Sequence, residues 1–178
     1  MSVHAAPYGE LADTKALRRA YGTFATGVTV VTVGGDTPHG MTANSFTTVS
    51  LDPPLVLVCV DRAAVMHSVL TDAGRFAVSV LGSRQAPIAR YFADRHRPLG
   101  AEQFDAIDWL PGPVTGAPLL TDALAHFECE VRCAYDGGDH SIFLAHLVSM
   151  QRASEDEALL FLRGRFRQLE PERSEVTT

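Results

Sequence analysis

From Ala125 to Tyr135, Ala125, Phe127, Cys129, Val131, Cys133 and Tyr135 alternate with His126, Glu128, Glu130 and Arg132. A period of two is the period of a strand, so this segment predicts a long β-strand with one wet face. Asp136-Gly-Gly-Asp-His140 turns the chain, and Ser141 to Met150 returns as a second strand. Gly27 to Val33 is β-branched and apolar on both parities, as a strand buried on both faces would be. Leu55–Val60, Phe76–Leu81 and Ala158–Leu162 complete a set of six or seven short-spaced strands. Regular β-α-β alternation is missing, so the chain reads as mainly β, an antiparallel barrel with a few short helices rather than a doubly wound sheet.

The helices are brief. Asp13-Thr14 offers a cap for a helix carrying Leu17, Tyr21 and Phe24, and Ala63–Ala73 stops at Gly74. Ser83 is expected to cap a third helix through Ala93, with Pro87 in its first turn. Residues 95–123 are rich in Pro and Gly and read as a long surface excursion. The 178 residues suit one domain, taken as 13–170, with an N-terminal arm over 1–12 and a C-terminal tail over 171–178.

Lys and Arg total 15 against 21 Asp and Glu, a net charge of -6 with no basic block, which disfavours a nucleic-acid partner. No apolar run approaches the roughly 20 residues of a membrane-spanning helix. The opening Met1-Ser-Val-His-Ala-Ala-Pro7 lacks the basic and apolar regions of a secretory signal, and the expectation is a soluble, cytoplasmic protein. Cys59, Cys129 and Cys133 have neither a disulfide framework nor zinc-ribbon spacing and read as buried apolar thiols in a reducing compartment. His126 and His146 lie on opposite-running strands and could meet, yet two histidines rarely make a metal site, so no metal is expected. His4, His39, His67 and His96 read as surface or loop residues.

No Rossmann fingerprint, P-loop, nucleophile elbow or His-Glu-x-x-His pair is present. What stands out is Met41-Thr-Ala-Asn-Ser-Phe-Thr-Thr-Val-Ser50, which leads into Leu51-Asp-Pro-Pro-Leu-Val56. Hydroxyls and free backbone N–H groups on an extended segment can hold a phosphate and the polar edge of a flat ring, and the apolar strand after them can supply a floor. An ordinary edge strand with solvated Ser and Thr has the same composition. Residue types alone leave both readings open.

Phe24-Ala-Thr-Gly-Val-Thr-Val-Val-Thr32, Pro38-His-Gly-Met-Thr-Ala-Asn-Ser-Phe46, Ser50-Leu-Asp-Pro-Pro-Leu-Val56, Gly138-Asp-His140 and Phe161-Leu-Arg-Gly-Arg-Phe166, in this order, resemble the flavin reductase-like family with the FMN-binding split barrel. The nearest subgroup is the reductase component of two-component flavin-dependent monooxygenases. The resemblance spans residues 14–169. It implies a homodimer in which NAD(P)H reduces FMN or FAD, after which the reduced flavin diffuses to a separate monooxygenase. Position by position, it assigns Thr42, Ala43, Asn44, Ser45, Phe46 and Thr47, with Ser50 closing the same stretch, to the flavin. Cys59, Val60 and Asp61 are assigned to the strand end beside the ring, and Ser68, Arg90 and Phe92 to the phosphate or adenylate end. His140, the expected catalytic residue, and Arg163 with Gly164 are assigned to the nicotinamide side. Leu162 and Phe166 stand where the family often carries tyrosine.

Hydride transfer between two bound cofactors asks the protein mainly to stack them, which suits a sequence without an acid-base dyad. NADH is favoured over NADPH because no arginines cluster in the sequence beside the candidate segment. Two other readings share the motifs: a flavoprotein with tightly held FMN that reduces another acceptor such as ferric iron or a quinone, and a flavin-binding module without turnover. For His140, a turn histidine that merely bonds the Asp139 region is the bland alternative.

Overall fold

The computed structural model describes residues 13–169, and the expected arm over 1–12 and tail over 171–178 lie outside them, as does His4. Helix α1 (Thr14–Tyr21) starts at Asp13, whose carboxylate accepts the backbone N–H of Lys15 at 2.9 Å and of Ala16 at 3.1 Å. Strands β1 (Thr26–Gly27), β2 (Thr29–Val33), β3 (His39–Ala43), β4 (Thr47–Leu51) and β5 (Pro54–Asp61) follow, then helix α2 (Val65–Ala73) and strand β6 (Arg75–Val80). Helix α3 (Ala86–Ala93) leads to the hairpin β7 (Trp109–Pro111) and β8 (Pro118–Leu120). The long pair β9 (Ala125–Gly137) and β10 (His140–Arg152) precedes β11 (Leu160–Leu162) and β12 (Arg165–Arg167).

Seven strands form the main sheet in the order β3-β2-β6-β9-β10-β5-β4, every neighbour antiparallel. Its two edges, β3 and β4, are consecutive in sequence and joined only by residues 44–46. Four Cα steps reach at most about 15 Å, so the sheet must curl until its edges nearly meet. Because β3 and β4 share no ladder, the curl is an antiparallel split barrel, as expected. Val31, Val33, Val56, Val58, Val60, Phe76, Val78 and Phe143 fill its interior, and α2 contributes Met66 and Leu70 to the same cluster. A second cluster on the other face of β2 joins Val28, Val30 and Leu81 to Ala89 and Phe92 of α3 and to Phe104. Strand β2 is therefore buried on both sides, and its Thr29 and Thr32 hydroxyls donate to the Ala43 and Pro118 carbonyls at 2.8 and 2.6 Å.

Several expectations change. The run Gly27–Val33 divides at Val28, with Thr26 and Gly27 pairing with Phe161 and Leu160 in a separate sheet with β12. Met41 to Ser50 is two strands on opposite edges rather than one extended run. Ser83 begins a 3-10 turn, and α3 starts three residues later. Helix α1 buries none of its residues within the chain, and Tyr21 and Phe24 stay exposed.

The wet face of β9 is only half wet. Glu130 and Arg132 are exposed, but His126 and Glu128 are buried. The stretch read as a surface excursion covers them and contributes Phe104, Ala117, Leu119 and Leu120 to the buried interior. Leu120 gives its carbonyl to His126 Nε2 at 2.7 Å. One Glu128 oxygen accepts the backbone N–H groups of Val114 at 3.0 Å and Thr115 at 2.7 Å, and the Thr115 hydroxyl at 2.8 Å. Gly112 passes so close that a Cβ there would lie 2.4 Å from this oxygen. His126 and His146 do not meet either: they pair with Gln151 and Glu130, respectively.

Burial pushes the Glu128 carboxyl up, but the bonds from Thr115 and Val114 outweigh it and hold the group below the usual carboxylate range. A folded-state value below the unfolded one adds stability above the unfolded range, and that stability is lost as pH falls through the folded value. Replacing Glu128 with Gln removes the anion while keeping its size. Urea unfolding at neutral pH is expected to show a loss of about 1–3 kcal/mol, narrowing as the pH is lowered through the carboxylate range.

Candidate active site

The C-terminal end of β5 is where the expected site residues converge. Val56, Val58 and Val60 point into the barrel, so Cys59 and Asp61 point out of it. On one side β10 pairs His140 with Asp61 and Ile142 with Cys59. On the other side β4 has ended its pairing at Thr47 with Leu57, and the next backbone partner for Cys59 would be Ser45. Ser45 supplies a side chain instead. Its hydroxyl donates to the Cys59 carbonyl at 2.8 Å and accepts the Cys59 N–H at 3.1 Å, so one side-chain oxygen serves both groups that a strand would have paired.

Two other polar side chains of the hydroxyl-rich stretch are committed in the same way. Thr42 donates to the Ala89 carbonyl at 2.7 Å, and the Asn44 amide donates to the Thr26 hydroxyl at 3.2 Å. Phe46 turns inward to stack on Phe127 at 5.6 Å, and Ala43 is buried. The segment therefore presents mostly its backbone and the exposed Asn44 and Thr47 to an incoming ligand. Ser50 pairs with Leu55, at the far end of β5 from Cys59.

Beside Asp61 lies a cleft of about 290 Å³, lined by Met41 and Thr42, by the chain entering α2 from Ala63 to Met66, and by Phe92, Arg95 and Arg97. Asp61 accepts the Ala63 N–H at 2.8 Å and faces Arg95 at 3.4 Å, so it both shapes the entry to α2 and borders the cleft. Opposite it on the ladder, His140 Nδ1 lies 2.6 Å from the Asp139 carboxylate. With Nδ1–H donating there, Nε2 is the outward nitrogen of a ring two-fifths exposed. The Cys59 thiol is pushed up by burial and is no activated nucleophile.

Arg97 carries no sequence signal for the site and His39 only its place beside the hydroxyl-rich stretch, yet both line the cleft. His39, expected at the surface, is buried between Arg97 at 3.2 Å and Gln103 at 3.3 Å. Burial and then the Arg97 charge lower it to about 4, so it is neutral at physiological pH. Gly40 gives its carbonyl to Arg97 and its N–H to Gln103, and a Cβ at Gly40 would strike Phe92 at 2.5 Å. Among the described residues, Arg97 Nε is buried without a hydrogen-bond partner. Residue type gives no warning here, because Arg97 lies in irregular chain that only the fold brings to β3.

Besides Ser50, four assigned residues lie apart from this convergence. The Ser68 hydroxyl donates to the Val65 carbonyl within α2 at 3.0 Å. Arg90 lies over the Phe166 ring at 5.4 Å. Arg163 and Gly164 form the turn between β11 and β12, both with positive φ, and Arg163 donates its N–H to the Gly22 carbonyl at 2.6 Å. Phe92 is fully buried, with an edge toward the cleft.

The arginines on the wall of this cleft suit an anionic ligand. The flavin reductase-like domain model matches residues 21–170, and the chain belongs to that family. It is 54% identical over 178 residues to the NADH-dependent FAD reductase of Streptomyces globisporus, covering 98% of each chain. The solved NADH:FAD oxidoreductase of Streptomyces globisporus in complex with NAD and FAD fragments superimposes with a TM-score of 0.88 at 51% identity, over 94% of this chain and 99% of the other. The flavin reductase component of a bacterial two-component tryptophan halogenase gives a TM-score of 0.86 at 54% identity, over 90% and 100%.

Ser45→Ala leaves the N–H and carbonyl of Cys59 without partners at the split. Hydrogen exchange is expected to show the Cys59 amide losing protection by at least about tenfold while the amides of β10 keep theirs, with a stability loss of about 1–2 kcal/mol.

Proposed function

We propose that this protein is an NADH-dependent flavin reductase that takes up FAD, and FMN less favourably, as a substrate and passes reduced flavin by diffusion to a separate monooxygenase. The observation that carries the reading is the cleft at the end of β5, open to solvent, with Thr42, Asp61, Arg95 and Arg97 on its walls and His140 across the ladder from Asp61. Bound together, flavin and dihydronicotinamide supply the redox chemistry themselves, as hydride passes from nicotinamide C4 to flavin N5.

The residues of this chain bind and orient. Backbone groups of residues 42–47 and Cys59–Asp61 border the isoalloxazine, and Arg95 and Arg97 on the cleft wall meet the flavin phosphate. Ser45, Thr42 and Gly40, each hydrogen-bonded to another element, hold that backbone rigid. His140, braced by Asp139, positions the nicotinamide from the β10 side with Nε2. Arg163 and Gly164 border the same dinucleotide. The protein works as a homodimer, and the exposed Tyr21, Phe24, Tyr135 and Met150 supply apolar area for a second copy. The three cysteines, all unpaired, suit a reducing cytoplasm. No helix among the described residues is long and apolar enough to cross a membrane.

Steady-state oxidation of NADH and NADPH with FAD, FMN and riboflavin in turn tests the reading. Nearly colourless protein that turns over only when flavin is added, fastest with NADH and FAD, is the expected result. Permanently yellow protein with flavin-independent turnover favours the tightly bound FMN reading, and yellow protein that leaves NADH untouched favours a flavin carrier. His140→Ala is expected to raise the KM for NADH more than it lowers kcat.

A further inference from the structure

Of the two arginines on the cleft wall, Arg95 faces a carboxylate, Asp61 at 3.4 Å, and Arg97 makes no ion pair among the described residues. Arg97 lies between α3 and a 3-10 turn at Gly100–Phe104, on chain that belongs to no helix or strand. Three neutral acceptors hold its guanidinium. Nη1 donates to the Asp94 carbonyl at 2.6 Å, and Nη2 donates to the Gly40 carbonyl and, at 3.2 Å, to His39 Nε2. The group also lies over the Phe92 ring at 5.8 Å.

Of these acceptors only His39 can change its protonation, and its neighbours decide the form it takes. A guanidinium nitrogen only donates, and so does the Gln103 amide nitrogen, 3.3 Å from His39 Nδ1. The two protons of that amide go to the Pro38 and Gly100 carbonyls at 3.0 and 2.9 Å, and the Gln103 oxygen accepts the Gly40 N–H at 2.9 Å. A charged imidazole would turn an N–H toward each of two donors. The neutral ring instead meets Arg97 with the Nε2 lone pair and carries its proton on Nδ1, and burial helps to keep it neutral.

Neutrality decides what Arg97 can offer. A carboxylate in this place would hold the guanidinium more strongly but cancel its charge at the cleft wall. A neutral acceptor fixes the geometry and leaves the charge for an incoming anion.

We propose that His39 is a positioning residue: as a neutral acceptor it fixes the Arg97 guanidinium at the cleft wall with its charge uncancelled, and so sets the preference of the cleft for phosphate-bearing flavins over riboflavin. The proposal rests on the reading of the chain as a flavin reductase whose flavin phosphate lies in this cleft. His39 acts through Arg97.

Binding of FMN and of riboflavin to the purified protein, followed by flavin fluorescence, tests it, with NADH oxidation alongside and a melting curve for each variant. Wild type is expected to bind FMN at least about tenfold more tightly than riboflavin, and Arg97→Met to lose most of that ratio. His39→Gln puts an amide oxygen where Nε2 stood and keeps the ratio within about twofold of wild type. His39→Glu has the same shape with a charge. It is expected to bring the ratio down to that of Arg97→Met while riboflavin affinity changes by less than about twofold. Should His39→Glu not fold, His39→Asn serves: its oxygen reaches only the Nδ1 position, leaves Arg97 without the acceptor, and is expected to show the same loss.

A ratio untouched by both His39→Glu and His39→Asn overturns the proposal, as does an equal loss of both flavins or a loss in His39→Gln as large as in His39→Glu. Wild type that binds the two flavins alike overturns it too, because Arg97 then meets no flavin phosphate. An effect confined to the KM for NADH does the same, by giving Arg97 to the dinucleotide. Wild type that binds no flavin is a different failure: the functional reading falls first, and the role of His39 with it.

Discussion

A single serine hydroxyl closes a gap that the topology makes unavoidable. Edges β3 and β4 are joined by too short a link to lie apart and are not paired with each other, so β5 loses its neighbour at Cys59. Ser45 bonds both backbone groups exposed there. A split barrel can thus keep an opening beside a strand end without leaving unsatisfied peptide groups in it. The opening is where a ligand can lie against main chain, and Thr42 and Gly40 fix the strand that borders it by bonds to α3 and to Arg97.

This design suits a reaction whose reactivity resides in its cofactors. In the proposed function, rigid backbone, the cleft cations and one histidine braced by a neighbouring aspartate align two rings, and the thiol nearest the site is kept inert by burial. His39 shows the same economy. Buried beside an arginine, it stays neutral and shapes β3 without adding charge to the cleft.

Much of this was readable along the chain, because local patterns report local geometry. The β-branched run through Val33, the apolar run through Val60, the Gly74 stop and the Asp13 cap all depend on neighbours a few residues away, and the structure places each as expected apart from the break at Val28. The hydroxyl-rich stretch was recognisable as unusual, but not why. Composition cannot distinguish a hydroxyl that faces a ligand from one that pins a strand, and for Thr42 and Ser45 the partners lie on distant elements.

By itself the sequence determined the strand periodicities, the antiparallel hairpin through Asp136–His140 and the family to which its motifs belong, since these rest on short-range backbone preference and on residue order. Only the tertiary structure decided that Glu128 and His126 are covered and that Arg97 and His39 reach the cleft. Each of these depends on segments far apart in sequence packing together. Burial and field at a point are sums over all the neighbours that the fold brings there, and no local pattern contains that sum.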